Sequence, residues 1–208
     1  MTRKRELALK VVLHLACLTP CAVLVFGAFN DTLGANPVEY MTHETGQWAL
    51  RLLLLTLLIT PLRRWTGWAW LVRQRRMIGL YGFFYAMLHL TVYAWFDQFF
   101  DVDAILEDIV KRPYITIGFS ALVLLVPLAA TSTNGMIRRL GGKRWKALHR
   151  LAYVAAVLGV GHFIWLVKAD YREPIIYATF LVAVLLARVP LRRLLDRLAA
   201  PTLKSRSG

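Results

Sequence analysis

Long apolar runs divide this sequence, and each is close to the length needed to cross a lipid bilayer. A spanning helix needs about 20 mostly apolar residues, because the hydrocarbon core offers no water to its backbone polar groups. Six stretches of the 208-residue chain approach that length: 11–29, 45–62, 77–96, 114–133, 148–167 and 174–190. The second carries Arg51 and the fifth opens beside His149. A hydrophobic fraction of 58% is high for a soluble domain of this size. The expectation is an all-α integral membrane protein, a bundle of about six transmembrane helices. No internal repeat and no dividing linker is visible, so residues 1–208 read as a single transmembrane domain with short tails.

The charges between the runs set the expected orientation. Lys and Arg number four in residues 1–10, five in 63–76, six in 131–150 and six in 188–208. The alternate loops 30–47, 97–112 and 168–173 carry none, two and two, and ten of the twelve acidic residues lie there. This is the positive-inside bias, which puts both termini and the basic loops in the cytoplasm and requires an even number of spans. The net charge of +14 is therefore read as topology and contact with membrane lipid rather than nucleic-acid binding. The basic N-terminus leads into an apolar run without a small-residue cleavage site, which reads as a retained first helix. The chain has neither a G-x-G-x-x-G nor a P-loop motif, so electrons or energy are expected to arrive from another protein or from a lipid-soluble carrier.

Five histidines carry the chemistry to consider: His14, His43, His89, His149 and His162. His43 lies in an outer loop beside Glu44 and reads as a surface residue. The other four lie in or at the edge of apolar runs, where an ionisable residue is costly and marks a candidate site. His89 is 12 residues past Met77, roughly 18 Å along its helix. His162 is 13 residues past His149, roughly 20 Å along the next outward-running helix. His89 and His162 thus share a level in the outer half of the membrane. Two imidazoles at one level on different helices suit the two axial positions of a haem iron, an arrangement made for electron transfer.

His149 belongs to an inner level, and thirteen residues at about 100° each put it some 140° around an ideal helix from His162. Either the two face different partners or the helix is distorted between them, with Gly159 and Gly161 as candidate sites of distortion. Candidate partners for His149 are His14, Arg75 and Arg76. Arginine is an uncommon iron ligand, because its guanidinium stays protonated, so Arg75 and Arg76 also read as topogenic charges or as partners of haem propionates. Arg51 either snorkels to the outer surface or pairs with a propionate or a quinone head group. Cys17 and Cys21 read as small residues on one helix face. Trp65, Trp68 and Trp70 read as an interfacial segment.

Several stretches together resemble a known family: LLLTLLITPL at 53–62, RRMIGLYGFFYAMLHLTVY at 75–93, KRPYITIG at 111–118, TSTNGMIRRLGGKRWKALHRLAYV at 131–154 and HFIWLVK at 162–168. They resemble the MsrQ (YedZ) family, the haem-binding membrane subunits of the periplasmic methionine-sulfoxide reductase system. That family is related to the ferric-reductase-like transmembrane domain. The resemblance implies a bacterial inner-membrane protein that binds one or two haem b groups through His89, His149 and His162. Related domains hold two haems on two pairs of histidines; here Arg75 or Arg76 stands at the fourth position. The resemblance further implies electron transfer from the quinone pool, or from a cytoplasmic flavin reductase, to a periplasmic molybdenum enzyme that reduces methionine sulfoxide. FMN is implied as a further cofactor, without a motif that places it. Competing readings are another quinol- or flavin-linked cytochrome, such as a ferric reductase, and a haem-free small transporter.

Overall fold

The computed structural model describes residues 3–188, and these are helical, with no strand among them. The helices are α1 (Arg3–Phe29), α2 (Pro37–Thr66), α3 (Trp70–Val92), α4 (Val102–Lys111), α5 (Pro113–Ala130), α6 (Asn134–Leu140), α7 (Gly142–Leu148), α8 (Leu151–Leu166) and α9 (Arg172–Leu186). A π-helical turn, Tyr93–Asp97, prolongs α3. Among the described residues, five segments are long and apolar enough to span a bilayer: Lys4–Phe29, Pro37–Thr66, Trp70–Asp97, Pro113–Ala130 and Gly142–Leu166. The protein is an all-α integral membrane protein. The sixth expected span, 174–190, overlaps α9, which is 15 residues long; residues 189–190 of that span, and the tail after them, lie outside the described residues.

Local signals explain where the helices run past the expected spans. Asn36 caps α2 by accepting a hydrogen bond from the Glu39 amide at 3.2 Å, with Pro37 in the first turn. Gly67 ends α2 in the left-handed region at φ 73°, which a residue with a Cβ adopts reluctantly. At 1.5 Å per residue α2 is about 45 Å long, so its ends pass beyond an apolar core of about 30 Å. The connection expected over 63–76 therefore shrinks to a short break before Trp70. Trp68 and Trp70 stack there with ring centres 6.0 Å apart, and Trp65 and Trp68 are exposed. The outer 97–112 segment contains α4, and the inner 131–150 segment contains α6 and α7.

Helix α2 is the spine. The most extensive helix pairs are α2 with α3 and α5 with α8. One core cluster joins Leu50, Leu54 and Leu57 of α2 to Ala155, Ala156 and Val160 of α8, with Leu181 of α9 behind. The small residues of α8 let the backbones approach, and a Cβ on Gly159 would meet Leu50 at 3.3 Å. A second cluster joins Leu52 and Ile59 of α2 to Ile78 and Tyr85 of α3 and Cys17 of α1. The Tyr85 side chain is fully buried. Its hydroxyl donates to the Cys17 carbonyl at 2.7 Å and accepts from the Cys21 amide at 3.0 Å. It therefore stands between the two ends of what would be one rung of the α1 ladder, beside Pro20, and fixes α1 to α3.

Candidate functional site

A cavity of about 480 Å³ lies between α2, α3, α5 and α8, at the end of the bundle expected to face outward. His89 enters it from α3 and His162 from α8, with ring centres 6.3 Å apart and ring planes at 73°. The two side chains are held alike. His89 Nδ1 lies 2.9 Å from the Thr42 carbonyl of α2, and His162 Nδ1 lies 2.7 Å from the Tyr114 carbonyl of α5. A carbonyl can only accept, so each Nδ1 carries the proton, and in the neutral ring Nε2 keeps its lone pair. A backbone carbonyl on the second nitrogen is the usual device that fixes the tautomer and orientation of a metal-binding imidazole.

Each cradle also needs a glycine, four residues beyond the carbonyl that it serves. A Cβ on Gly46 would come within 3.1 Å of His89 Nδ1, and a Cβ on Gly118 within 2.8 Å of His162 Nδ1. Helix pairs α2–α3 and α5–α8 thus repeat one arrangement: a carbonyl and a glycine on one helix seat the histidine of the next. A metal–imidazole bond is about 2 Å, and the bonding nitrogen lies about 1.1 Å from its ring centre, so two imidazoles on opposite sides of one metal have centres about 6.2 Å apart, close to the separation seen here. Among the described residues no group of three or more His, Cys, Asp and Glu side chains gathers for a bare metal ion. The cavity walls include the apolar Leu53, Ala121 and Phe163, with Tyr93, Gln98 and Arg112 among the polar residues of the lining.

At the other end of the bundle His149 caps α7, and α8 restarts at Leu151. Of the two alternatives for His149 and His162, different partners or a distorted helix, the chain shows a break at His149 itself, while α8 runs unbroken through Gly159 and Gly161. The His149 ring stacks on Trp145 at 3.8 Å between centres, and its Nδ1 lies 3.1 Å from the Trp145 carbonyl. Trp145 is anchored in turn, its indole donating to the Thr131 carbonyl at 2.9 Å. His149 Nε2 is buried and has no hydrogen-bond partner. The charges of Arg75 and Arg76 lie close enough to act on this ring, and Arg76 also donates to Asn134 at 2.7 Å.

The other expected site residues are placed apart from these histidines. His14 hydrogen-bonds the Tyr81 hydroxyl of α3 at 2.7 Å, a helix-to-helix contact. Arg51 donates to the Tyr177 hydroxyl of α9 at 2.7 Å and to Gln47, lies 3.8 Å from Glu44, and covers the Trp48 ring at 5.0 Å. It clamps α2 to α9 beside the cavity. His43 is exposed, as expected, and lies at the cavity rim. Sequence reasoning did not find Gly46 and Gly118, although a glycine inside an apolar helix is a signal of close approach. It also did not find the polar group of Tyr93, Gln98, Asp108 and Arg112, which joins the end of the expected span 77–96 to a segment read as a loop.

The fold and this site define a class: a multi-pass helical membrane protein that presents paired imidazoles from neighbouring helices. Residues 45–160 match the family described as ferric reductase like transmembrane component. The chain is 56% identical to the protein-methionine-sulfoxide reductase heme-binding subunit MsrQ of Herminiimonas arsenicoxydans, over 87% of this chain and 84% of that protein. It is 51% identical to the subunit of that name from Azospira oryzae, over 90% and 81%. It is 52% identical to the one from Xanthomonas campestris pv. campestris, over 94% of each chain. The chain belongs to the ferric-reductase-like transmembrane family and, within it, to the MsrQ heme-binding subunits.

Proposed function

We propose that this chain is a haem b electron-transfer subunit of the bacterial inner membrane, serving a periplasmic methionine-sulfoxide reductase. The observation that carries the reading is the His89–His162 pair, at the spacing of two ligands on one metal, with each Nδ1 held by a carbonyl. The residues fit a haem: two imidazoles face one another across an apolar cavity, and a porphyrin would bring the four equatorial nitrogens that the protein does not supply. Such a haem would exchange single electrons without an open position for oxygen. The chain's own residues orient the imidazoles through Thr42 and Tyr114, exclude water through the cavity walls, and leave room for both rings at Gly46 and Gly118.

The orphaned His149 Nε2 supports a second haem at the inner level, with Arg75 and Arg76 beside it for its carboxylates. The Lys/Arg bias of the loops supports cytoplasmic termini and one transmembrane domain over residues 1–208, so that electrons move from the inner level to the outer one. The proposed donors are the quinone pool or a cytoplasmic flavin reductase, with FMN as a further cofactor. The proposed acceptor is a molybdenum-containing catalytic subunit in the periplasm. A visible spectrum and a haem-to-protein ratio on the purified chain test the reading. Low-spin b-type bands that vanish when His89 or His162 is replaced are expected; a colourless protein would overturn it.

A further inference from the structure

Asp108 is 8% exposed, on an outer helix that the haem reading does not use. Its Oδ2 accepts from the Tyr93 hydroxyl and from the Gln98 amide, each at 2.9 Å, and its Oδ1 lies 3.0 Å from Arg112 Nε. All three partners line the outer cavity, and so do Ile105 and Ile109 from the inner face of α4.

The three partners tie this carboxylate to both imidazole-bearing sides of the cavity. Tyr93 belongs to the turn that follows His89, and its amide donates to the His89 carbonyl. Arg112 is the N-cap of α5, two residues before Tyr114, whose carbonyl holds His162. Between them the chain takes a strained path. Phe99 and Phe100 have φ of 49° and 59°, a region that bulky side chains avoid and that persists only where the surroundings over-determine it. The π-helical turn Tyr93–Asp97 is a second irregularity in the same segment, of a kind found most often at functional sites. The face of α4 next to Ile105 and Ile109 presents Val102, Leu106 and Val110 at intervals of four, all exposed, as suits a helix lying in the membrane interface.

We propose that Asp108 is a positioning residue for the group held by His89 and His162. It latches the Tyr93 turn, α4 and the start of α5 across the outer end of the cavity, and it holds the Arg112 charge at the rim. This inference rests on the haem reading for its target and on the hydrogen bonds alone for the latch. Breaking a buried carboxylate's set of charge-assisted bonds removes several interactions at once, because each donor is left without its acceptor.

The test uses the full chain in nanodiscs and compares Asp108→Asn with the wild type by amide hydrogen exchange and by redox titration of the outer haem. Exchange across residues 93–112 should speed up about tenfold, with the rest of the bundle unchanged. The outer haem should stay bound, and its midpoint potential should rise, because a negative charge near the cavity is lost while Arg112 remains. Tyr93→Phe removes a single bond and no charge, so it should speed exchange across the same residues by less; it carries the exchange test if Asp108→Asn does not fold. Exchange as slow as in the wild type would overturn the latch. Faster exchange with an unchanged potential would make Asp108 merely structural and overturn the positioning role. A wild type without haem would overturn the haem reading alone, and the exchange comparison would still decide the latch.

Discussion

His89 and His162 face each other across one cavity with ring centres 6.3 Å apart, although they belong to different helix pairs. Each pair supplies its own carbonyl and its own glycine, so neither ring depends on the other for its orientation. A ligand pair built this way is preorganised: the imidazoles are already fixed by packing and hydrogen bonds.

Replacing either residue with Ala is therefore expected to remove the low-spin signal of the outer haem while leaving the helical fold intact. Both rings must act on one iron for this to hold, so the two single variants should look alike by electron paramagnetic resonance. Full haem content and an unchanged reduced spectrum in either variant would show that the pair does not share a haem.

The cradle glycines give a finer test. Gly118→Ala puts a methyl 2.8 Å from His162 Nδ1, closer than real contacts allow, against a ring that its carbonyl holds in place. Overpacking of this kind costs about 1–3 kcal/mol, so haem retention at the outer site should fall about tenfold or more. Gly46→Ala, at 3.1 Å from His89 Nδ1, should weaken it less. Haem release to apomyoglobin measures both. Equal retention in Gly118→Ala and wild type would mean that the site relaxes freely.

The sequence revealed the apolar spans, the shared level of His89 and His162 and the separate level of His149, because each follows from residue spacing along a helix. Spacing carries no information about how one helix is rotated against its neighbour. It therefore could not pair Gly46 with His89 or Gly118 with His162, nor direct His14 to Tyr81 and Arg51 to Tyr177. The α4 segment escaped for a different reason. Its ten residues are too short to read as a span, and its charged residues Asp103, Glu107 and Lys111 resemble a loop until Ile105 and Ile109 are seen at the cavity.

Tyr85 separates structural from functional roles in α3. Tyr85→Phe removes the hydroxyl between Cys17 and Cys21, and α1 can then close that rung directly. The loss should sit near the low end for a buried hydrogen-bonding group, about 1 kcal/mol, and appear as a lower thermal midpoint in detergent. The haem spectrum should not move. A changed spectrum would mean that α1 contributes to the site.

The supply of electrons can be tested on the isolated chain. Without a nucleotide-binding motif, the purified protein should not oxidise NADPH or NADH at a useful rate. Added quinol, or a separate flavin reductase with its nucleotide, should reduce the haem. Stopped-flow absorbance at the haem bands reads this directly, and rapid reduction by NADPH alone would contradict the proposed division of labour.

His149 decides whether electrons have one station or two. His162 lies eleven residues past Leu151 in α8, a rise of roughly 16 Å, and His149 precedes that helix, so the two histidines are too far apart to serve one iron. The Nε2 of His149 is buried and makes no well-formed hydrogen bond, with the Leu128 carbonyl near the same ring, so this nitrogen is the one free to take a ligand. Trp145 stacks against the ring and accepts from Nδ1 through its carbonyl, which leaves Nε2 as the coordinating atom. Arg75 and Arg76 act on this ring by charge at longer range, and Arg76 is held by Asn134 at 2.7 Å, so they are the candidate partners for the carboxylates of a second haem. With a single outer haem, an electron from the cytoplasmic side would have most of the apolar core to cross in one step. His149→Ala is therefore expected to lose about half the haem, since one of two proposed haems rests on this ligand. The outer haem should keep its spectrum and become slow to reduce from the cytoplasmic side in oriented proteoliposomes. One haem per wild-type chain, or a His149→Ala protein that keeps every haem, would mean that His149 serves another ligand and that the inner station does not exist.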